Sequence, residues 1–355
     1  MPGSILPPVP QYNLPPPTKE PLEFADLAIV DLSKANTPEG RAELAIQVRD
    51  AMSKVGFFYA VNHGLSPSEN KRVLDIADVP FTGVEDDEKQ LYLAKIEELG
   101  TYQGYKLRNV WTVDAGVRDQ VDNYNFNKNV YEREHPKAIR PFLPELDAFA
   151  RFCHFNVVHQ ILRLMALGLE LPEDTFIPNH RFSAPGDTYL RFMKYYPRSE
   201  DDEIKTKNVW MKGHTVGTVT ALWSQPVSGL QIKSPDGNWR WVRHIDNALV
   251  INSGDAMEFF SGGFYKATIH RVVQPPADQR GYARLGVFYF GQPDNDAVLA
   301  PLTESPVLQR YGVRRRFEDA DAPTMETYRT GRIRAFGLKE LQKKENGVEE
   351  TDITS

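Results

Sequence analysis

The sequence predicts a mainly β protein with flanking helices, whose strands form a double-sheet jelly roll. Three observations favour this fold class. Residues 186–296 contain short β-branched and aromatic runs, separated by turn signals such as Pro235-Asp236-Gly237-Asn238. The runs recur at a spacing of about 8–12 residues, which is typical of a sandwich or barrel. Helical periodicity is found on either side of this region. The predicted strands are Thr188–Tyr196, Gly217–Trp223, Gly229–Ile232, Trp239–Val242, Ala248–Asn252, Thr268–Val273 and Arg284–Phe290.

Composition divides the chain into four stretches. Residues 1–22 are a proline-rich arm, for which we expect an extended path with little core of its own. Residues 23–180 form an α/β and helical region, and residues 181–300 form the jelly-roll core. Residues 301–355 are a charged, partly helical tail that we expect to act as a lid.

The region before the core opens with a strand, a helix and a second strand. The apolar runs Leu27–Leu32 and Gly56–Val61 predict the strands. Between them, Thr37-Pro38 supplies an N-cap followed by proline at the first helical position. His63 lies in the turn after the second strand, where we expect it to cap or pack and not to take part in chemistry.

Two further histidines, His154 and His159, fall on a long predicted helix from about Pro144 to Leu169. A separation of five residues corresponds to about 500° of helical rotation, so the two side chains do not share a helix face. We therefore interpret both as structural residues.

Composition also narrows the class of protein. The 355 residues carry a formal net charge of -6 and one cysteine, Cys153. An acidic chain with dispersed Lys and Arg argues against a nucleic-acid partner, and one cysteine excludes an internal disulfide. No apolar run approaches the ~18 residues of a membrane span, and the N-terminus lacks the pattern of a secretory signal. We expect a cytoplasmic, monomeric enzyme or small-molecule binder.

The β-rich region contains two histidines at predicted strand edges, His214 and His270. Their spacing alone fits two buried, hydrogen-bonded imidazoles as well as two metal ligands. Longer motifs accompany them. These motifs are Ile29–Leu32, Gly56–Gly64, Arg118-Asp119, Tyr195-Tyr196-Pro197, Gly229–Ile232, Ala248–Asp255 and Tyr265–Val273.

With these motifs, residues of about 27–300 resemble the Fe(II)- and 2-oxoglutarate-dependent dioxygenases of the isopenicillin N synthase-like group. The resemblance implies a double-stranded β-helix, which is the jelly roll that the strand count predicts. It also implies oxidation of a small organic molecule, by hydroxylation, desaturation or cyclisation, in specialised metabolism. Fe(II) would be the metal, and 2-oxoglutarate and O2 the cosubstrates.

The resemblance further implies roles for individual residues. His214 and His270 would be the nitrogen ligands of an iron site in which two histidines and one carboxylate occupy one face of the metal. The guanidinium of Arg284 would bind the distal carboxylate of 2-oxoglutarate, and Tyr196 would place its phenol on the same carboxylate. The positions that would line the substrate pocket are Tyr124, Phe126, Phe192, Phe290, Gln292 and Phe336. An aromatic lining suits an apolar or aromatic small molecule, although several of these residues would serve equally well as core.

The metal-binding motif departs from the family pattern. The family has His-x-Asp, whereas this chain has His214-Thr215-Val216-Gly217. The offset from His214 to Gly229 is 15 residues, one fewer than is usual in the family, so the simplest alignment deletes the aspartate between Thr215 and Val216. No Asp or Glu follows His214 before residue 236.

A second departure concerns 2-oxoglutarate. The family has Arg-x-Ser, whose hydroxyl also contacts the cosubstrate, whereas this chain has Arg284-Leu285-Gly286. Asp255 follows a glycine in a predicted turn, and we interpret it as structural.

Three explanations of the missing carboxylate stay open at this point. In the first, the chain is derived from an active oxygenase by an engineered deletion or an omission in its sequence. In the second, it works with two histidines and an exogenous third ligand, as some halogenases of similar sequence do. In the third, the site is degenerate and the fold serves as a redox-neutral binding scaffold. The fold alone does not choose among them, because function depends on the site.

Overall fold

The computed structural model describes residues 6–214, 217–315 and 317–335. Within these ranges the chain forms fourteen strands and ten α-helices. The strands are β1 Ile29–Asp31, β2 Phe57–Val61, β3 Gly104–Lys106, β4 Thr112–Asp114, β5 Val117–Arg118, β6 Val121–Asn127, β7 Tyr189–Tyr195, β8 Val209–His214, β9 Val219–Trp223, β10 Leu230–Lys233, β11 Trp239–Trp241, β12 Leu249–Ser253, β13 His270–Val273 and β14 Arg284–Gly291. The helices are α1 Pro38–Lys54, α2 Pro67–Thr82, α3 Asp86–Leu91, α4 Ile96–Leu99, α5 Leu143–Phe152, α6 His159–Gly168, α7 Glu200–Lys205, α8 Asp255–Phe260, α9 Pro306–Tyr311 and α10 Met325–Ala335.

The strands form two facing sheets and a small hairpin. The major sheet has the order β1-β2-β12-β9-β14-β7-β6-β3, and the minor sheet has the order β11-β10-β13-β8. All pairs in both sheets are antiparallel except β1 with β2. One buried apolar cluster joins residues of both sheets, such as Ile232 of the minor sheet and Met193 of the major sheet. The predicted jelly roll is confirmed.

Helices cover the other face of the major sheet. The larger apolar cluster combines α1, α2, α5 and α6 with alternate residues of the strands, including Phe58 of β2, Phe192 of β7 and Tyr289 of β14. The residues between them along each strand face the minor sheet, because successive side chains of a strand point to opposite faces. This alternation decides which side chains reach the space between the sheets.

The predicted helix 144–169 is present with an interruption. A π-helical segment, Cys153–Val158, joins α5 to α6. It brings the imidazole of His154 to within 4.5 Å of that of His159, measured between ring centroids. Both imidazoles bond the carbonyl oxygen of His180, so both histidines are part of the buried core.

The proline-rich arm runs over the surface from residue 6 onward. The amide of Tyr12 donates to Asp75 at 2.7 Å, and the side-chain amide of Gln279 donates to the carbonyl of Pro16 at 2.7 Å. At the other end of the described chain, Tyr328 of α10 donates to Asp255 at 2.8 Å. Phe336 lies outside the described residues. Among the helices of the described ranges, none combines the length and the apolar character that crossing a membrane requires.

Candidate metal and cosubstrate site

A narrow cavity lies between the two sheets. Its wall combines apolar side chains with a few polar ones, as in a small-molecule site. The chemically relevant members of the wall are Arg191, Tyr195, Asn252, His270, Arg284 and Phe290. The fold therefore brings His270 and Arg284, which the sequence analysis singled out, into one cavity from opposite sheets.

His270 begins β13 and is oriented by the segment before it. Its Nδ1 donates to the carbonyl oxygen of Thr268 at 3.1 Å, which makes Nε2 the nitrogen with the lone pair. Burial lowers the pKa of His270, which favours the neutral imidazole. The ring of Phe57 packs edge-on against it at 5.5 Å. A neutral imidazole whose other nitrogen donates to a backbone carbonyl is the usual form of a metal-ligating histidine.

The segment before His270 is held against the start of β2 by a close backbone approach. Gly56 has a φ of +77°, and its lack of a side chain lets the chain pass the carbonyl of Lys266 and the hydroxyl of Thr268. That hydroxyl donates to the carbonyl of Val55 at 2.5 Å. These contacts fix the position of the residues that lead into His270.

The structure describes the backbone position of His214. It ends β8 and lies directly opposite His270 in the antiparallel β8–β13 pair. The register between the two strands shifts between His270 and Val272, as at a bulge. Thr215 and Val216, where the missing aspartate would stand, are outside the described residues.

The described side chains supply part of the ligand set that an iron site requires. A site of two histidines and one carboxylate needs an anionic ligand beside the imidazoles. Among the residues that the structure describes, no group of three or more His, Cys, Asp and Glu side chains is arranged to hold a metal. Asp255 accepts from Tyr328 at 2.8 Å and lies 3.6 Å from the guanidinium of Arg332, in keeping with a structural role. The described donors thus fit a nitrogen ligand of an iron site and do not supply its carboxylate.

Arg284 fits an anionic cosubstrate. Its side chain is buried, its Nε donates to the carbonyl of Val227 at 3.1 Å, and its guanidinium lies 5.6 Å from the ring centroid of Tyr195. No carboxylate of the described chain pairs with it. A buried guanidinium without a counter-ion is costly, and a bound carboxylate relieves that cost. The distal carboxylate of 2-oxoglutarate is such a group.

Tyr195, and not Tyr196, faces this arginine. Tyr195 is directly opposite Arg284 in the β7–β14 register, and burial raises the pKa of its phenol to about 12. Tyr196 is on the other side of the chain, where the guanidinium of Arg108 lies 4.2 Å from its ring centroid. The sequence-based assignment of Tyr196 is therefore wrong by one residue. A shift of one residue moves a side chain to the opposite face of a strand.

The serine missing from the family pattern leaves no empty space. Gly286 lies between Arg284 and Phe288 on the same face of β14. A Cβ atom at Gly286 would come within 2.5 Å of the Phe288 ring. The aromatic ring therefore occupies the space that a serine side chain would need.

Of the expected substrate residues that the structure describes, one lines the cavity. Phe290 lines it, whereas Tyr124, Phe126 and Phe192 lie on the helix-facing side of the major sheet. Strand alternation explains this difference, because Phe290 is on the same strand face as Arg284. Gln292 is buried, its backbone N–H donates to the hydroxyl of Thr188 at 3.0 Å, and it is not part of the cavity wall.

Sequence reasoning missed Arg191 and Asn252. Both line the cavity. Alternate residues of a strand share one face, so Arg191 lies on the same face of β7 as Tyr195. The alternation alone does not reveal which face is inward, because β7 is buried along its whole length.

Two family models match this chain. The model of the 2OG-Fe(II) oxygenase superfamily matches residues 188–293. The model described as the non-haem dioxygenase in morphine synthesis N-terminal matches residues 27–145. Together they include both strands of the opening region and the strands that surround the cavity.

Relatives extend over most of the chain. The 1-aminocyclopropane-1-carboxylate oxidase 1 of Cucumis melo is 27% identical over 287 residues, which are 78% of this chain and 82% of that protein. The scopoletin 8-hydroxylase of Arabidopsis thaliana is 27% identical over 302 residues, which are 84% of this chain and 79% of that protein. A full-length Neurospora crassa protein solved in complex with alpha-KG has the same fold, with a TM-score of 0.74 and 21% identity over 90% of this chain and 99% of that chain.

The jelly roll and its relatives define an oxidoreductase of the dioxygenase class. The chain belongs to the 2OG-Fe(II) oxygenase superfamily. This family uses Fe(II), 2-oxoglutarate and O2.

Proposed function

We propose that the cavity between the sheets binds 2-oxoglutarate through Arg284 and Tyr195 and serves the oxidation of a small organic molecule. His214 and His270 are the proposed nitrogen ligands of Fe(II). The observation that carries the proposal is that two groups line one cavity: a buried guanidinium without a carboxylate partner among the described residues, and a half-buried imidazole whose Nδ1 donates to a backbone carbonyl.

Each residue has a separate task in this proposal. Arg284 binds the distal carboxylate of 2-oxoglutarate, and the phenol of Tyr195 donates to the same carboxylate. His270 presents Nε2 because Nδ1 is engaged with Thr268. Fe(II), when bound, supplies the centre at which O2 and 2-oxoglutarate react. The apolar wall, including Leu222 and Phe288, excludes water from the reacting groups.

Hydroxylation of an organic ring is the outcome that the relatives favour. The Arabidopsis relative is named for hydroxylating scopoletin, and the Cucumis melo relative is named as an oxidase of a small amino acid. We therefore propose a small metabolite of specialised metabolism as the substrate. Desaturation and cyclisation use the same cofactors and stay within the proposal.

A second candidate function is binding without turnover. It is favoured by the sequence between His214 and Asp236, which has no carboxylate, and by the lack of a three-ligand group among the described side chains. Two neutral imidazoles hold a divalent ion weakly, and loss of even an outer partner of a ligand typically costs 10–100-fold in affinity or activity. We therefore propose that this chain, which lacks the carboxylate ligand, binds 2-oxoglutarate well and Fe(II) poorly.

Calorimetric titration with 2-oxoglutarate tests the cosubstrate site. Arg284→Met should weaken binding by about 2–5 kcal/mol, because the distal carboxylate loses its buried partner. Arg108→Met is the matched control, since it removes an arginine that stacks on a tyrosine outside the cavity. An unchanged dissociation constant for Arg284→Met would contradict the assignment.

A further inference from the structure

Arg191 is a buried arginine in the wall of the cavity that the proposed chemistry does not use. It lies on β7, and its side chain is only 9% exposed. Its Nε donates to Oδ1 of Asn125 at 2.6 Å. No carboxylate within the described ranges forms an ion pair with it.

The acidic side chains nearby are already engaged. Asp119 pairs with the buried Lys106. Asp187 lies 3.0 Å from Arg329 and accepts from Thr101. The guanidinium of Arg191 is therefore buried without a carboxylate partner among the described residues. A buried charge of this kind costs free energy unless an anion is bound.

Three aromatic rings fix the position of this guanidinium. Its central carbon lies 5.4 Å from the ring centroid of Tyr102, 5.0 Å from that of Tyr189 and 5.1 Å from that of Phe290. Such rings stabilise a cation without neutralising it. They hold the guanidinium fork in one orientation, which favours a planar carboxylate as its partner.

Arg191 and Arg284 enter the cavity from neighbouring strands, at different positions along them. Arg284 lies over the ring of Tyr195, and Arg191 lies over the ring of Tyr189. In the β7–β14 register Arg191 pairs with Phe288 and Tyr195 pairs with Arg284, so the two arginines are four positions apart along the strands, or about 13 Å at 3.3 Å per residue.

The end that contains Arg191 is the end near His270. A row of paired residues runs across the major sheet from Phe290 to Thr220, Asn252 and Phe57. The ring of Phe57 contacts His270. An anion at Arg191 therefore lies at the level of the proposed metal ligand, where the substrate is oxidised.

We propose that Arg191 binds a carboxylate of the organic substrate, and that the substrate class is a small aromatic or apolar carboxylic acid. Phe290, which is partly exposed in the cavity, contacts the apolar body of that acid. The proposal rests on the proposed function for the identity of the cavity as the substrate site, and the anion site itself is measurable without turnover.

Matched pairs of ligands test the proposal. The full chain is titrated, with and without saturating 2-oxoglutarate, with benzoate, phenylacetate and 3-phenylpropionate and with the amide of each acid. We expect at least one acid to bind ten times or more tightly than its amide. Arg191→Gln should abolish that preference and leave the affinity for 2-oxoglutarate unchanged, and Arg191→Lys should retain part of it. Arg108→Gln, which also removes an arginine from a tyrosine ring, should behave like the unchanged protein.

The outcomes separate this proposal from the proposed function. Equal binding of acids and amides, binding of neither, or a preference that survives in Arg191→Gln would overturn the role of Arg191. Loss of 2-oxoglutarate binding in Arg191→Gln would overturn it as well, because the arginine would then hold the cosubstrate. If the unchanged chain prefers acids through Arg191 but does not bind 2-oxoglutarate, the cosubstrate assignment fails and the anion site stands.

Discussion

Tyr195 and Arg284 lie directly opposite each other on neighbouring strands of the major sheet, and the guanidinium is 5.6 Å from the ring centroid of the tyrosine. The phenol thus lies beside the group that we propose to bind the cosubstrate. The adjacent residue, Tyr196, has the same side chain and faces Arg108 instead.

Tyrosine substitutions at these neighbouring positions should therefore differ in effect. Tyr195→Phe removes a hydrogen bond to a charged carboxylate and should weaken 2-oxoglutarate binding by about 1.5–3 kcal/mol. Tyr196→Phe should leave it unchanged within about 0.5 kcal/mol, as for a substitution away from the site. Titration calorimetry of both variants measures the difference, and a larger loss for Tyr196→Phe would restore the role expected from the sequence.

Gly286→Ser should not simply restore the family pattern. The new side chain would meet the ring of Phe288, and overpacking typically costs about 1–3 kcal/mol of stability. In a Phe288→Leu background the same serine should cost less, because the ring atoms at 2.5–2.7 Å are gone. Denaturant unfolding of the two single variants and the double variant gives the coupling energy; strict additivity would show that the two sites do not interact.

Gly56→Ala should destabilise the protein through the segment that leads into His270. The residue has a φ of +77°, and a methyl group there would overlap the carbonyl of Lys266. We expect a loss of about 1–3 kcal/mol, the usual range for a residue in a strained backbone conformation. Gly281→Ala is the control, because a methyl group there meets no atom within 4 Å. Equal unfolding free energies for the two variants would contradict this account.

The stability of the fold should rise between about pH 4 and 6.5, in part through His135. Its Nδ1 accepts from the phenol of Tyr124 at 2.7 Å, its Nε2 donates to the carbonyl of Val130, and burial lowers its pKa to about 4. The unfolded chain binds a proton on this residue below about pH 6.5, and the folded chain does not until about pH 4. Acid in this window therefore favours the unfolded state, by up to about 1.4 kcal/mol per pH unit.

His135→Gln should consequently flatten the dependence of the unfolding free energy on pH, even though it lowers stability at pH 7. Urea unfolding at several pH values between 4.5 and 7 measures the slope. A His135→Gln slope equal to that of the unchanged protein would mean that this histidine titrates normally in the folded state.

The sequence predicted the strands of the jelly roll more reliably than the direction of their side chains. The run Arg284–Phe290 differs from β14 by one residue at its end, and the residue opposite Arg284 is Tyr195 in place of the expected Tyr196. Strand propensity locates a run, but buried residues on both faces of β7 conceal which face is inward. For that reason Phe192 was expected in the pocket and lies in the helix-facing core.

Long-range partners explain the other differences. Arg191 has no ion-pair partner among the described residues, and Asp187, near it, pairs with Arg329, which is distant in the sequence. A sequence motif carries no information on such competition. The position of Phe288 over Gly286 likewise results from packing between the sheets.

We propose that the missing carboxylate ligand limits turnover at a site that is otherwise able to bind the cosubstrate. The decisive measurement is succinate formed from 2-oxoglutarate after anaerobic Fe(II) titration and exposure to O2, for this chain and for a form with Asp inserted after Thr215. We predict near-zero turnover for the unchanged chain and partial rescue by the insertion, because the insertion returns an anionic ligand and the usual spacing to Gly229. Full turnover by the unchanged chain, at iron concentrations no higher than the inserted form needs, would contradict the account and show that another group supplies the third ligand.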